Sequence, residues 1–360
     1  PLIIIDPKGD MSNLALVFEA LRGDDFGPWV DPGVAKRNER SIDEEGAHVA
    51  DVWRQGLADW DIKPERLVEL KQRMALTIFT PGADTGVPIN VLGAFTPPSK
   101  DVLADPTARR ELIAGTVSGL LGLVGIDADP VRDAEHVVLS RVVDDAWQRG
   151  ESLSLPSLIR YLVDPPFERV GVFEVDAFFK PERRRKLALK LNGIIASPSF
   201  EPWTRGVPLD VQRMMSPVET EGDGPSRVPV SLFYLSHLDD SERMFFASLL
   251  LEQVVAWSRT QSGTGSLRAV VYFDEVFGFL PPYPKNPPTK APILTLLKQA
   301  RAVGVGTVLV TQNPVDLDYK ALSNAGTWFI GKMQTQRDRE RVMDGLLTVG
   351  GADRKAIGEL

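Results

Sequence analysis

The amino-acid sequence predicts an α/β fold, a mainly parallel sheet flanked by helices and interrupted by a large helical insertion over residues 105–217. Two observations carry this. Over residues 218–360, short apolar runs rich in β-branched residues alternate with helical patterns, the arrangement of a doubly wound sheet. A similar segment opens the chain over residues 1–104, and between the two the apolar spacing switches to that of helices.

The elements follow in order. PLIIIDPKGD is an apolar run ending in acidic residues and glycine, as a central parallel strand does. Residues 33–75 are charged, contain tryptophan and predict one or two surface helices. MALTIFTPG and INVLGAF, bounded by Gly and Pro, predict strands. RRELIAGTVSGLLGLVG and AEHVVLSRVVDDAWQRG give the insertion its helical spacing. VPVSLFYLSHL returns to a strand. A long amphipathic helix follows from near Ser241 to Arg259, opened by acidic and hydroxyl residues suited to capping. LRAVVYFDEV then predicts a strand, PILTLLKQARAVG a helix, and VGTVLVTQNP and AGTWFIGKM two more strands. ETEGDGPS and LPPYPKNPPTKAP are loops.

Composition bounds the chemistry. At 360 residues, 43% hydrophobic and 25% charged, the chain has the make-up of an ordinary globular protein with a large core. No apolar run is long enough to span a membrane, and no basic-then-apolar leader is present, so a cytoplasmic protein is expected. With no cysteine there is neither a disulfide nor a thiolate metal site, and His48, His136 and His237 have no ligand spacing. A net charge of −8 argues against a surface that grips nucleic acid all over; any such contact must be a local patch or a ring lumen. A strand directly after Pro1, and a helical pattern still running at DRKAIGEL, read as an internal piece of a longer protein.

The strongest chemical signal is RAVVYFDEV, residues 268–276: a strand that ends in two adjacent carboxylates at the sheet edge where α/β ligands bind. Asp274 there suits Mg²⁺, held through water, and Glu275 suits the polarisation of an attacking water in phosphoryl transfer. Acidic residues after a strand also serve as helix caps. VGTVLVTQNP brings Thr311 and Gln312 to the tip of a neighbouring strand, where Gln312 can contact that water or a γ-phosphate; alone it reads equally as a turn residue. Arg301, on the preceding helix, is the side chain whose planar fork suits phosphoryl charge, or else a solvated helix arginine. Asp6, Lys8 and Asp10 face the same edge, as support for the site or as a turn with a satisfied carboxylate. The basic run at residues 180–190 reads as a solvated helix face or a contact to phosphates, and RDRER at residues 337–341 as a charged helix start or a second arginine source.

Taken together, IDPKGDMSNL, RAVVYFDEVFGFLPP, LLKQARAVGVGTVLVTQNPVDLDYKALSNAGTWFIGKMQT and RDRERVMDGL resemble the HerA/FtsK-type branch of RecA-like motor ATPases, and closely a bacterial group of HerA-like ATP-binding proteins. The resemblance spans nearly the whole chain. It implies a RecA-like P-loop NTPase core over residues 1–104 and 218–360, ATP and Mg²⁺ as cofactors, and a hexameric ring that moves along DNA in its lumen, with a nuclease or other protein as partner. By position Asp274 and Glu275 match the family's acidic pair, Gln312 its sensor, and Arg301 the arginine that reaches a neighbouring subunit's nucleotide. One departure stands out. The glycine-rich G-x-x-x-x-G-K-S/T loop that cradles phosphates is absent from this sequence, and SGTGSLR at residues 262–268 lacks the lysine. As it stands, the chain is expected to bind nucleotide poorly and to hydrolyse none. A second expectation, from a different class, is an ATP-driven switch or assembly ATPase acting on a protein partner in a secretion or defence complex.

Overall fold

The structure, a computed structural model, describes residues 1–340 apart from 92–94, 220–225, 315–316, 333–335 and 337–338. Its centre is a five-stranded, all-parallel sheet. The strands are β1 (Leu2–Asp6), β2 (Met74–Phe79), β3 (Val228–Tyr234), β4 (Ala269–Phe273) and β5 (Val305–Leu309), in the spatial order β2-β3-β1-β4-β5. β1 is central and apolar on both faces because both are covered: Ile3 and Ile5 join the main core, while Ile4 packs with Val230 and Leu232 on the other side. Ile5 lies opposite both Phe233 and Phe273, and Phe273 lies opposite Leu309, so the strands end together on one edge.

Helices flank this sheet: α1 (Ile42–Asp59), α2 (Pro106–Leu123), α3 (Ala134–Gln148), α4 (Leu155–Val163), α5 (Pro181–Ala196), α6 (Asp240–Arg259) and α7 (Lys290–Gln299). α1 and α6 begin with capping boxes, Ser41 with Glu44 and Asp239 with Glu242, each pairing a side chain with the other residue's backbone N–H. α6 lies where a long helix was expected, but beyond its exposed first turn it has little amphipathic character. From Phe245 to Ser258 it is buried on nearly every side, with the sheet on one side and α2 of the insertion on the other. Two glycines of α2 permit this approach: a Cβ at Gly115 would lie 2.2 Å from Cγ of Glu252, and one at Gly119 would lie 2.8 Å from Oγ of Ser248. A single apolar cluster therefore runs from Phe233 and Phe273 through Phe246 and Leu250 to Val117, Leu139 and Leu187 of the insertion.

Two expected strands differ. INVLGAF yields only Ile89–Asn90, paired with Val207–Pro208, and residues 92–94 lie outside the described residues. AGTWFIGKM forms no strand over residues 325–332, and Phe329 is 97% exposed. Among the described residues this segment pairs with no strand, and β5 is the last strand of the sheet on that side.

Burial sets one pH-dependent liability. Glu252, on α6 against Gly115, is pushed up to about 8 by burial first and Glu111 second, with Arg259 opposing. The folded state thus holds this proton more tightly than the unfolded chain does. Stability is greatest below the ordinary value of 4.5 and falls as pH rises towards 8, at about 1.4 kcal/mol per unit of displacement. Glu252→Gln is expected to melt well above wild type at pH 9 and close to it at pH 4.5; thermal melts across that range test this, and a gap independent of pH contradicts it.

Candidate functional site

β1, β4 and β5 deliver polar residues to the shared carboxyl edge of the sheet, the place where α/β folds take ligands. β4 ends at buried Phe273, and Val276 beyond it is again buried, so Asp274 and Glu275 are held at the rim between two apolar anchors. Their backbone is fixed from both neighbours: the Asp274 N–H donates to the Ile5 carbonyl (2.9 Å) and the Val276 N–H to the Val310 carbonyl (2.9 Å). Between these clamps Glu275 has φ 42, a left-handed conformation that is uncommon for a side chain other than glycine. Such strain persists where surrounding structure enforces it, and it clusters at functional sites.

The turn after β1 is equally constrained. Asp6 is fully buried and accepts hydrogen bonds from the backbone N–H groups of Gly9 (2.6 Å) and Met11 (3.0 Å). Gly9 has φ 92, and a Cβ there would lie 2.5 Å from the Tyr234 ring, so both conformation and space require glycine. Lys8 sits on this turn, and its Nζ donates to Oε2 of Glu275 at 2.7 Å. The turn with a satisfied carboxylate and the contact with the acidic pair are thus both present. Burial chiefly raises the Asp6 carboxyl above its ordinary value, against the two N–H bonds that favour ionisation. Burial also leads in raising Asp274, followed by the Glu275 and Asp10 charges, with Lys8 pulling the other way.

β5 contributes the third side. The Val310 N–H donates to the Phe273 carbonyl, and the chain then passes Glu275 into Thr311, exposed Gln312 and Asn313, whose N–H caps the Thr311 hydroxyl at 3.0 Å. Further on, Asp318 forms a buried ion pair with Lys290 at 2.7 Å, tying the segment after Gln312 to the loop after Glu275. Burial opposes ionisation of Asp318, yet the bonds from Lys290 and from the Lys320 backbone hold its carboxyl below the usual range.

Asp274, Glu275, Thr311 and Gln312 therefore share one edge. Arg301 does not join them within the chain. It is exposed on the turn Ala300–Val303 that enters β5, at the opposite edge, roughly 16 Å away at the rise of a five-residue strand. Among the described residues no three His, Cys, Asp or Glu side chains converge as a metal cluster, so Asp274 would have to share a hard cation with ligand oxygens and water. In the basic run, Arg183 pairs with Glu135 and Arg184 with Asp176, leaving Arg185, Lys186 and Lys190 facing solvent. Of RDRER, only Arg339 and Glu340 are among the described residues.

Comparison with known proteins leaves the site to speak for itself: no family model matches this chain, and no curated protein matches it.

The strain at Glu275 gives a direct test. Its pairing with half-exposed Lys8 stabilises by under about 1 kcal/mol, whereas a left-handed non-glycine residue costs about 1 kcal/mol or more. Glu275→Gly is expected to leave stability unchanged or raise it by about 1 kcal/mol in urea titrations. A loss beyond about 1 kcal/mol would make Glu275 a residue kept for the fold.

Proposed function

We propose that this chain is the core of an ATP-hydrolysing motor of HerA/FtsK type, with a RecA-like P-loop NTPase fold. The observation that carries the reading is the acidic pair at the end of β4, with Glu275 held in a strained conformation beside the polar tip of β5. Oxygen donors on a half-buried strand end suit Mg²⁺, which coordinates one or two carboxylates together with water and phosphate oxygens. Asp274 would hold that ion through water. Bound Mg²⁺ would supply neutralisation of phosphate charge. Glu275 would orient and deprotonate the attacking water, and Gln312, backed by Thr311, would hold that water or the γ-phosphate in line.

Proton competition follows from the raised Asp274 carboxyl: affinity for the cation should weaken as pH falls through its elevated pKa. The phosphate loop, absent from this sequence, is supplied in this reading by a further strand. Among the described residues β5 is paired only with β4, and Val308 on it is 40% exposed. A parallel strand added at that free edge would end its turn beside Gln312 and Glu275. Arg301, on the far edge of its own chain, would act on a neighbouring subunit's nucleotide in a hexameric ring with DNA in the lumen.

The second reading, an ATP-driven switch or assembly ATPase working on a protein, is favoured by the net charge of −8 and by the internal pairing of Arg183 and Arg184. DNA binding separates the two. A motor should bind non-specific duplex with a negative salt slope, and a protein-directed switch should not bind it.

Hydrolysis by the full-length gene product, with and without duplex DNA and beside Glu275→Gln, is the decisive assay. Turnover that DNA stimulates, and that Glu275→Gln lowers by at least about 100-fold, is expected. Absence of turnover from the folded wild-type protein refutes the reading.

A further inference from the structure

One contact at the edge has no place in the roles above: the ion pair between Lys8 and Glu275, 267 positions apart in sequence. The backbone at Lys8 is held by the turn, while its side chain reaches out half exposed to Glu275. Asp6 locks the turn through the N–H groups of Gly9 and Met11, and Tyr234 packs where a side chain at residue 9 would project. The lysine side chain itself is 45% exposed and ends on a four-carbon stem, so its ammonium can swing without disturbing the fold. Glu275, 12% exposed, is much the more confined partner.

The pairing has a chemical consequence. The Lys8 ammonium at 2.7 Å already occupies Oε2 of Glu275, so that oxygen is not available to accept a hydrogen bond from a water. The terminal phosphate of a nucleoside triphosphate, with three terminal oxygens and more than one negative charge, is a stronger partner for that ammonium than a single carboxylate is.

We propose that Lys8 binds the terminal phosphate of a nucleoside triphosphate and that Glu275 holds its ammonium only while that phosphate is absent. This rests on the ATPase reading and deepens it. Arrival of the γ-phosphate draws Lys8 off Glu275, which frees the carboxylate beside the attacking water. A diphosphate leaves the pair closed. Lys8 thereby links the activity of Glu275 to the identity of the nucleotide.

Binding of Mg·ATPγS and Mg·ADP to the full-length protein, measured by calorimetry, tests this. Lys8→Met is expected to weaken ATPγS by about tenfold and to leave ADP within about twofold, with Lys8→Arg recovering most of the loss. Glu275→Gln, which releases the ammonium, should tighten ATPγS, and adding Lys8→Met should cancel that gain. Equal losses for both nucleotides, or none, overturn the role of Lys8. Wild-type protein that hydrolyses ATP through Glu275 while Lys8→Met discriminates normally removes Lys8 alone. Folded wild-type protein that binds neither nucleotide removes the ATPase reading as well. Melting temperature and circular dichroism of the Lys8 variants should match wild type, since the side chain is half exposed.

Discussion

The register of β1 between β3 and β4 is the constraint on which the rest of the structure depends. β1 contributes one short apolar stretch, buried on both faces, and every residue of it is paired with β3. The same pairing sets Ile5 against Phe273, so that the Asp6–Asp10 turn and the Asp274–Glu275 pair leave the sheet side by side. A slip of one residue would exchange the faces of Ile3, Ile4 and Ile5 and move Lys8 away from Glu275.

Packing against that sheet explains why the insertion is more than an appendage. α6 has apolar residues on all sides and requires a second cover besides the strands. α2 provides it, with Gly115 and Gly119 at one helical turn's spacing so that the two backbones approach closely. The apolar cluster shared by sheet, α6 and insertion is continuous. Burial in this interface pushes the Glu252 carboxyl up to about 8, outweighing the favourable charge of Arg259.

At the carboxyl edge the balance is different. Burial and mutual repulsion raise Asp6 and Asp274, a left-handed backbone holds Glu275, and only the half-exposed Lys8 offsets the negative charge. The raised carboxyls and the left-handed Glu275 backbone cost stability, which the Lys8 contact offsets only in part. In the reading proposed above, such a site would gain when a cation and a phosphate enter.

Sequence by itself determined the types of the main elements. The acidic and hydroxyl start of α6, the apolar runs of β1 to β5 and the helical spacing of the insertion are local patterns, readable because propensity and periodicity act within a few residues. It also placed Asp274, Glu275, Thr311 and Gln312 at strand ends, which the parallel sheet then gathered on one edge. The tertiary structure alone decided that Lys8 meets Glu275, that Glu275 is left-handed, that Arg301 lies at the far edge, and that α6 is enclosed. It also decided that residues 325–332 of AGTWFIGKM stay outside the sheet. Those outcomes depend on which segments become neighbours across hundreds of residues, and no local pattern in the chain encodes such pairing.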